Sequence, residues 1–416
     1  MGLADDAIWW HLYPLGFCGA PIRDPDIVAP AAPRLARLSA WLDYAVELGV
    51  SGLALGPVFA STSHGYDTMD HYRIDPRLGA EGDLAALVDA AHARGLAVLL
   101  DGVFNHVGAD HPLLRRALTE GPEGEYAGWF RLDWARANGG PPAYADFEGH
   151  HGLALLNHAE PAVVDYVVDV MTHWLDRGID GWRLDAAYAI PPATWARIIT
   201  RVRARHPGAL LVGEVIHGDY AGVVAGGGMD AVTQYELWKA AWSSLVDRNF
   251  FELAWALDRH NGFLDAFAPL TFVGNHDVTR IAQRVGDDGA VAALAVLCTV
   301  GGMPSIYYGD EQAFRGEKTD RLGGDDAVRP AYPERPGELA PWGWWMYRRH
   351  QELLALRRRH RWLVRARTTV RELTNERIRY DACEPDGAGR LSVELDVTGG
   401  PRVRVWAGDV LEFAHG

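Results

Sequence analysis

A repeated unit of helix, glycine and short apolar strand constrains the fold of this chain more than any other feature. In one copy, the apolar residues between Gly82 and Gly95 recur with helical spacing, and Gly95 is a natural helix end. An apolar run over residues 96–100 follows and stops at Asp101. Because this run is apolar on both faces and too short for a helix, it predicts a buried parallel strand.

The unit recurs along most of the 416 residues. Residues 161–184 and 195–214 repeat it, and their apolar runs end at Asp185 and Glu214. Further strand-like runs lie at 8–17, 52–59, 230–235, 270–274 and 303–308, which brings the total to eight. Eight strands alternating with helices predict the α/β class and a (β/α)8 TIM barrel. An open doubly wound sheet is the alternative.

Two stretches depart from this pattern. One follows strand 3 and is rich in Gly, Pro, His, Asp and aromatic residues, which predicts a short excursion domain. The other follows the last helix and alternates apolar and polar residues, which predicts a small C-terminal β domain. The expected division is a first part of the barrel over 1–106, an excursion domain over 107–157, a second part of the barrel over 158–364 and a β domain over 365–416.

Charge and cysteine content exclude several classes of partner. The net charge of −15 has the wrong sign for a protein that binds nucleic acid by neutralising phosphates. No uninterrupted apolar stretch reaches the roughly 20 residues of a membrane span, and the acidic start does not resemble a signal peptide. Three widely spaced cysteines fit a reducing compartment. We therefore expect a cytoplasmic protein, with neither nucleic acid nor a membrane as partner; the sequence does not predict its oligomeric state.

Acidic residues follow several of the predicted strands. Asp101, Asp185, Glu214 and Asp277 stand at the ends of strands 3, 4, 5 and 7, and in a barrel these ends meet at the mouth. Two carboxylates about 5 Å apart, with a third to stabilise a developing cation, suit retaining glycoside hydrolysis. Converging acids suit a divalent metal equally well. The residues alone leave both chemistries open.

Four motifs around these acids resemble the four conserved regions of the α-amylase family of glycoside hydrolases (family 13). They are Asp-Gly-Val-Phe-Asn-His at 101–106, Gly-Trp-Arg-Leu-Asp-Ala at 181–186, Gly-Glu-Val at 213–215 and Val-Gly-Asn-His-Asp at 273–277. Their joint occurrence, in this order, is highly specific. The resemblance covers roughly residues 7 to 360, and the subfamily stays uncertain.

The resemblance implies a role for each catalytic acid. Asp185 is expected to be the nucleophile that forms a glycosyl-enzyme intermediate, and Arg183 is expected to keep it ionised. Glu214 is expected to be the general acid and base, and Asp277 to stabilise the oxocarbenium-like transition state. The residues expected to bind the sugar are Tyr66, Asp101, His106, Arg183, His276, Asp325 and Arg329. Asp326 is an alternative to Asp325 as the acidic partner of Arg329.

The implied function is retaining hydrolysis of α-1,4-linked glucan oligosaccharides, such as maltodextrins, cyclodextrins or starch fragments. A glucosyl transferase or sugar isomerase on the same scaffold is the alternative, because it differs only in the acceptor of the glycosyl group. A non-catalytic sugar-binding barrel is a remote alternative, since all three catalytic acids are retained.

The resemblance also raises the question of a metal. Many α-amylases hold a structural calcium ion with the Asn of the first motif and a His four residues after the nucleophile. Here the Asn is Asn105, but the His position is Ala189 and the preceding position is Tyr188. We therefore expect no metal and no other cofactor.

Further histidines and aromatic residues near the predicted mouth are candidates for sugar contact. They are His64, His71, His150, His151, Phe104, Trp129, Trp134 and Trp342. His217, three residues after Glu214, is instead a candidate to support the site from behind the residues that touch the sugar.

Overall fold

Eight parallel strands form the centre of the molecule in the computed structural model, which describes residues 3–5, 7–23, 33–136 and 142–416. The strands are β1 (Trp9–Leu12), β2 (Gly52–Leu55), β3 (Ala97–Gly102), β4 (Gly181–Leu184), β5 (Leu210–Gly213), β6 (Ala231–Val232), β7 (Leu270–Phe272) and β8 (Met303–Tyr307). Each pairs with its neighbours in sequence, and β1 also pairs with β8. A single parallel bridge from Thr233 to Leu270 joins β6 to β7. The (β/α)8 barrel is confirmed, and the open sheet is excluded.

Helices surround the strands and cover them with their apolar faces. The described helices are Pro14–Phe17, Leu35–Ser39, Leu42–Leu48, Glu81–His92, Pro112–Glu120, Pro161–Leu175, Pro192–Arg205, Tyr220–Gly227, Tyr235–Val246, Phe251–Phe263, Ile281–Thr299 and Trp344–Arg359, of which Pro112–Glu120 belongs to the excursion and not to the barrel. In Glu81–His92 the buried positions are Leu84, Leu87, Val88 and Ala91, which are the apolar positions of the repeated unit. Within the described ranges, no helix is long and apolar enough to cross a membrane.

The first predicted strand is too long. The run over 8–17 predicted one continuous strand, but β1 ends at Leu12 and a short helix begins at Pro14. Proline fixes φ near the helical value and lacks the N–H that a strand would use, so it suits the first position of a helix. This turn places Tyr13 directly after β1, at the mouth of the barrel.

Two further units are attached to the barrel. After β3, the strands His106–Gly108, Leu132–Asp133, Ala143–Tyr144, Asp146–Phe147 and His150–Leu155 accompany the helix Pro112–Glu120. A small apolar cluster of their own, which includes Val107, Leu114 and Phe130, holds them together. The excursion and the C-terminal β structure thus lie where they were expected, while the predicted domain boundaries stay predictions.

The C-terminal unit is an antiparallel sheet of five strands in sequence order: Arg367–Leu373, Arg377–Cys383, Arg390–Asp396, Arg402–Ala407 and Val410–His415. It packs on the helix Ile281–Thr299, where the hydroxyls of Thr299 and Tyr380 lie 2.7 Å apart. The sheet therefore supports the outer wall of the barrel rather than its mouth.

Candidate active site

Arg183 joins three of the predicted acids at the centre of the mouth. Its Nη1 lies 2.7 Å and 2.6 Å from the two carboxylate oxygens of Asp101 and 3.2 Å from Oδ1 of Asp185. Its Nη2 lies 2.7 Å from Oε1 of Glu214. All four side chains are buried. One cation therefore faces three carboxylates in a site that water scarcely reaches.

The register of the barrel explains this meeting. Arg183 in β4 is directly opposite Asp101 in β3, so both side chains point into the same layer of the barrel. Asp185 and Glu214 directly follow β4 and β5, whose ends are also aligned, with Leu184 opposite Gly213. The acids at the strand ends therefore converge because parallel strands in register end at one rim.

The close packing of these charges changes the acidity of Asp185. Burial raises its pKa well above the usual value for aspartate, and the charge of Glu214 raises it further. Arg183 lowers the pKa of Asp185, but less than these two effects raise it. Arg183 therefore favours the ionised form of Asp185, as expected, but its effect on the pKa is smaller than the combined effect of burial and Glu214.

The backbone after the nucleophile candidate is also unusual. Ala186 has a left-handed conformation, with φ of 44° and ψ of 39°. A residue other than glycine pays a strain energy of about 1–3 kcal/mol in such a conformation, and such strain is concentrated at functional sites. The turn aims the N–H of Ala186 at Oε2 of Glu214, to which it donates at 3.1 Å.

Asp277 lies on the other side of the pocket, among different partners. His276 Nε2 lies 2.9 Å from its Oδ2, and Arg329 Nη2 lies 2.8 Å from its Oδ1. Burial would raise the pKa of Asp277, but His276 and Arg329 outweigh this effect and hold the pKa well below its usual value. Asp277 is therefore held as an ionised carboxylate.

The structure favours Asp325 over Asp326 as the partner of Arg329. Oδ2 of Asp325 lies 3.3 Å from Arg329 Nη2. Asp326 instead forms an ion pair with Arg23, at 2.5 Å. The Nε of Arg329 also donates to the carbonyl of His276, at 3.0 Å, so Arg329 connects Asp325 to the Asp277 side of the pocket.

Aromatic and imidazole rings form the walls of the pocket. The ring of Tyr66 is nearly parallel to that of His276, with centroids 5.2 Å apart, and its hydroxyl donates to Oδ2 of Asp101 at 3.1 Å. His106 stacks on Phe147 of the excursion, at 4.7 Å. Burial lowers the pKa of His106 to about 3, and among the described residues no group hydrogen-bonds to its Nε2. This neutral nitrogen is free to form a hydrogen bond with a ligand.

The remaining candidate histidines lie apart from the carboxylates. His71 is buried between the carbonyl of Val103, at 2.8 Å, and the hydroxyl of Tyr166, at 3.0 Å, so it is a packing residue. His150, His151 and His217 are exposed. His64 is half-buried beside Tyr66, with ring centroids 6.1 Å apart.

The additional aromatic candidates fall into two groups. Phe104 is fully buried, and Trp129 packs on the core of the excursion. Trp134 is half-buried, whereas Trp342 is 55% exposed and contacts Phe314 with centroids 5.6 Å apart. In the described part of the chain, no hydrogen bond or ring contact joins any of these four candidates to the carboxylate cluster.

Two tyrosines in the site were missed by the sequence interpretation. Tyr235 donates to Oε1 of Glu214 at 3.1 Å and accepts from the amide of Asn275 at 2.9 Å. Tyr13 lies under the guanidinium of Arg329, 4.6 Å from the ring centre. Tyr235 is the last residue of the predicted strand 230–235, so the criterion that selected the acids would have found it had it included tyrosine. Tyr13 lies inside the predicted strand 8–17, so that criterion would not have found it.

The residues present do not fit the family's calcium ion. Across the described ranges, no three His, Cys, Asp or Glu side chains are grouped so that they could hold a metal ion. The amide of Asn105 instead lies 3.3 Å from Nδ1 of His106. At the position of the expected histidine ligand, Ala189 has no donor atom beyond its backbone. The absence of any cofactor requirement stays a prediction.

Comparisons with known proteins agree with this arrangement. Residues 35–338 match the family model described as the catalytic domain of α-amylase. A cyclomaltodextrinase of Geobacillus thermopakistaniensis is 31% identical over 386 residues, which cover 86% of this chain and 63% of that protein. Neopullulanase 2 of Thermoactinomyces vulgaris is 33% identical over 341 residues, which cover 75% of this chain and 57% of that protein. The chain thus spans about three fifths of the length of these curated relatives.

Solved structures are similar over nearly the whole chain. The cyclic α-maltosyl-(1→6)-maltose hydrolase of Arthrobacter globiformis, in complex with cyclic α-maltosyl-(1→6)-maltose, has a TM-score of 0.81 and 26% identity, and the match covers 94% of this chain and 91% of that one. An acarbose-soaked debranching enzyme of Nostoc punctiforme has a TM-score of 0.79 and 26% identity, with 97% and 91% covered.

Proposed function

Because the chain belongs to the α-amylase family of glycoside hydrolases, we propose that it hydrolyses α-1,4-linked glucan oligosaccharides with retention of configuration. Maltodextrins, cyclodextrins and starch fragments are the candidate substrates, in line with relatives named cyclomaltodextrinase and maltogenic α-amylase. The observation that carries the proposal is the cluster in which Arg183 contacts Asp101, Asp185 and Glu214, with Asp277 held separately by Arg329.

In the first step, Asp185 attacks the anomeric carbon while Glu214 donates its proton to the glycosidic oxygen. The bond from the anomeric carbon to that oxygen breaks, the shortened glucan leaves as an alcohol, and a β-glycosyl ester forms on Asp185. The ionised Asp277 faces the positive charge that develops on the ring. His106 Nε2 and the Tyr66–His276 wall are placed to hold the same sugar.

In the second step, Glu214 removes a proton from water, which attacks the anomeric carbon from the face that the leaving group vacated. The ester bond breaks, and Asp185 is regenerated as a carboxylate. The contacts that Tyr235 and Ala186 make to the two oxygens of Glu214 keep its carboxyl group in one orientation for both steps. Two inversions give a product with the configuration of the substrate.

We also propose that the protein works in the cytoplasm and needs no metal. The three cysteines are free thiols, which fits a reducing compartment, and a relative from Bacillus subtilis is named an intracellular maltogenic amylase.

The test is turnover of maltotriose, maltoheptaose and β-cyclodextrin by the protein and by Glu214→Gln. The variant should lose at least about 100-fold in kcat, because general acid catalysis contributes about 100- to 10,000-fold. Glu236→Gln, which changes a carboxylate paired with Arg259 on an outer helix, is the matched control and should keep full activity. Equal turnover by the protein and Glu214→Gln would refute the proposal.

A further inference from the structure

A small cavity lies inside the barrel, beneath the active site. Arg183, Glu214 and His276 of the site line one end of it, and Trp9 and His11 of β1 line the other. Because Trp9 and His11 are two residues apart on one strand, both side chains lie on the inner face of the barrel, and His11 is the nearer to the mouth. The volume of about 30 Å³ has room for one or two water molecules, since each needs about 10–15 Å³.

Three buried nitrogen atoms on residues around this cavity lack a hydrogen-bond partner. They are Nε1 of Trp9, Nε2 of His11 and Nδ1 of His276, and no group that the structure describes bonds to any of them. The three residues are at most 8% exposed, so bulk water does not reach these atoms. Buried polar atoms are nearly always hydrogen-bonded, either to protein or to ordered water. Their presence around one cavity therefore points to ordered water inside it.

The rings of His11 and His276 contact each other beside the cavity. They meet edge to face, with centroids 5.1 Å apart and planes at 82°. Within the described ranges, neither Nε2 of His11 nor Nδ1 of His276 forms a hydrogen bond to the other ring. A bridge between them must fit a cavity of about 30 Å³, and water is the polar molecule of that size.

The contacts of His276 in the active site determine which of its nitrogens carries a proton. Its Nε2 lies 2.9 Å from Oδ2 of Asp277 and also contacts the hydroxyl of Tyr66. That hydroxyl donates its own proton to Asp101, and Asp277 is ionised, so both oxygens accept and Nε2 donates. In the neutral imidazole, Nδ1 is then the acceptor, and it needs a donor from the cavity.

The hydrogen-bonding capacity of water matches the three nitrogen atoms. The indole of Trp9 can only donate. Burial lowers the pKa of His11 well below the usual value for histidine, so this ring is neutral and its Nε2 is able to accept. A water that accepts from Trp9 and donates to His11 and His276 makes three bonds, which is the usual number for a buried water.

We propose that an ordered water in this cavity joins Nε2 of His11 to Nδ1 of His276, and that His11 is a positioning residue for the reaction. The inference rests on the proposed function and deepens it. His11 lies on the inner side of His276 and acts through it: the water holds the His276 ring in the orientation in which Nε2 bonds Asp277.

Crystal structures of the unaltered protein, His11→Phe and His11→Gln test the water directly. In the unaltered protein, we expect a water about 2.7–3.2 Å from both nitrogens. His11→Phe keeps a flat ring but cannot bond water, so the water should be lost, and the distance from His276 Nε2 to Asp277 Oδ2 should increase from 2.9 Å to more than about 3.5 Å. Glutamine can donate and accept, so His11→Gln should keep both the water and the short distance.

Either of two structural results would overturn the inference. One is a cavity without water in the unaltered protein, and the other is an unchanged contact between His276 and Asp277 in His11→Phe. If His11→Phe does not fold, the unaltered protein and His11→Gln carry the test, and loss of the water in His11→Gln overturns the inference.

Kinetics with maltotriose test the role of His11 in the reaction. His11→Phe should lower kcat at least about 10-fold and His11→Gln at most about 3-fold, because displacement of a group in the site by about 1 Å can cost about 100-fold. The matched control, His350→Phe, removes another buried histidine, from the outer helix Trp344–Arg359, and should leave kcat unchanged. Full activity in His11→Phe, or an equal loss in His11→Phe and His11→Gln, would refute the positioning role.

Failure of the proposed function gives a different result. In that case the unaltered protein turns over no glucan, while the crystal structures still show whether water joins the two histidines. A water that is present in the unaltered protein and lost in His11→Phe, together with the contact between His276 and Asp277, supports the bridge without a reaction. A cavity without water refutes the bridge whether or not the protein is active.

Discussion

Two adjacent aspartates show how single residues divide between function and surface in this protein. Asp325 reaches the buried Arg329, which in turn contacts Asp277, whereas Asp326 pairs with Arg23 and is half exposed. The resemblance to the family allowed either residue to be the partner of Arg329. The structure separates them because a short 3-10 helix begins at Asp326 and directs the two side chains apart.

Asp325→Asn and Asp326→Asn should therefore differ in their effect on catalysis. Asp325→Asn removes a charge beside Arg329 and should lower kcat/KM for maltotriose about 10-fold, which is about 1.4 kcal/mol of transition-state stabilisation. Asp326→Asn should change kcat/KM less than 2-fold, since exposed ion pairs contribute little. Steady-state kinetics on both variants measure the difference. A larger loss of kcat/KM in Asp326→Asn than in Asp325→Asn would identify Asp326 as the functional partner of Arg329.

Asp310 and Arg280 form a buried ion pair beyond the end of β8 that takes no part in the proposed reaction. Asp310 lies 3.0 Å from Arg280, its other carboxylate oxygen has no hydrogen bond among the described residues, and it touches Gly274 just before Asn275. Burial raises the pKa of Asp310 to about 7 despite the charge of Arg280. The folded protein therefore holds a proton here that the unfolded chain releases near pH 4.

This pKa predicts a pH dependence of stability. A group whose pKa is raised by folding stabilises the protein fully below its unfolded pKa and loses that contribution as the pH rises through about 7. Asp310→Asn cannot ionise, so its melting temperature relative to the unaltered protein should rise between pH 4 and pH 8. Thermal unfolding of both proteins across this range is the measurement. A constant difference between them would show that Asp310 does not titrate in the folded state.

At the level of elements, the barrel and its acids were predictable because they rest on local rules. The sequence repeats a unit of apolar residues at helical spacing, a glycine at the helix end and a run that is apolar on both faces. The acids come directly after the strands of these units. The groups that were missed act across elements. Tyr235 reaches Glu214 from the next strand's end, and Tyr13 depends on the helix that Pro14 starts after a strand shorter than predicted.

The choice between a metal site and a glycosidase site likewise depends on contacts between different strands, which the sequence does not show. Strand-end acids alone left a metal site and a glycosidase site equally open. The contacts of Arg183 favour the glycosidase site, because the guanidinium that pairs with Asp101, Asp185 and Glu214 already supplies a positive charge between these acids. Sequence spacing places these residues at one rim, but only the barrel register shows that Arg183 lies opposite Asp101.

For the whole molecule, direct contacts join the excursion to the barrel. The N–H of Leu156 donates to the carbonyl of Asn105 at 3.1 Å, and His158 contacts the carbonyl of Phe104 at 2.8 Å. The hydroxyl of Tyr188, which follows the nucleophile candidate, donates to Glu148 of the excursion at 2.8 Å. These bonds involve Asn105 and the residue before Ala189, the two places at which the resemblance implies calcium ligands.

Removal of metal should therefore leave the protein unchanged. Dialysis against EDTA should shift the melting temperature by less than about 1 °C and leave kcat for maltoheptaose within about 20%, because only an ion that is bound to the folded state can stabilise it. Addition of calcium after dialysis is the control. A fall of several degrees that calcium reverses would show a metal site that the described residues do not reveal.

The central claim is that Asp185 forms a covalent bond to the sugar, and trapping that intermediate tests it most directly. The protein is incubated with 5-fluoro-α-glucosyl fluoride, whose ring fluorine slows hydrolysis of the ester, and its peptides are analysed by mass spectrometry. We expect one fluoroglucosyl group on the peptide that contains Asp185, and none in Asp185→Asn. The absence of a label, or a label on Glu214 or Asp277, would contradict it.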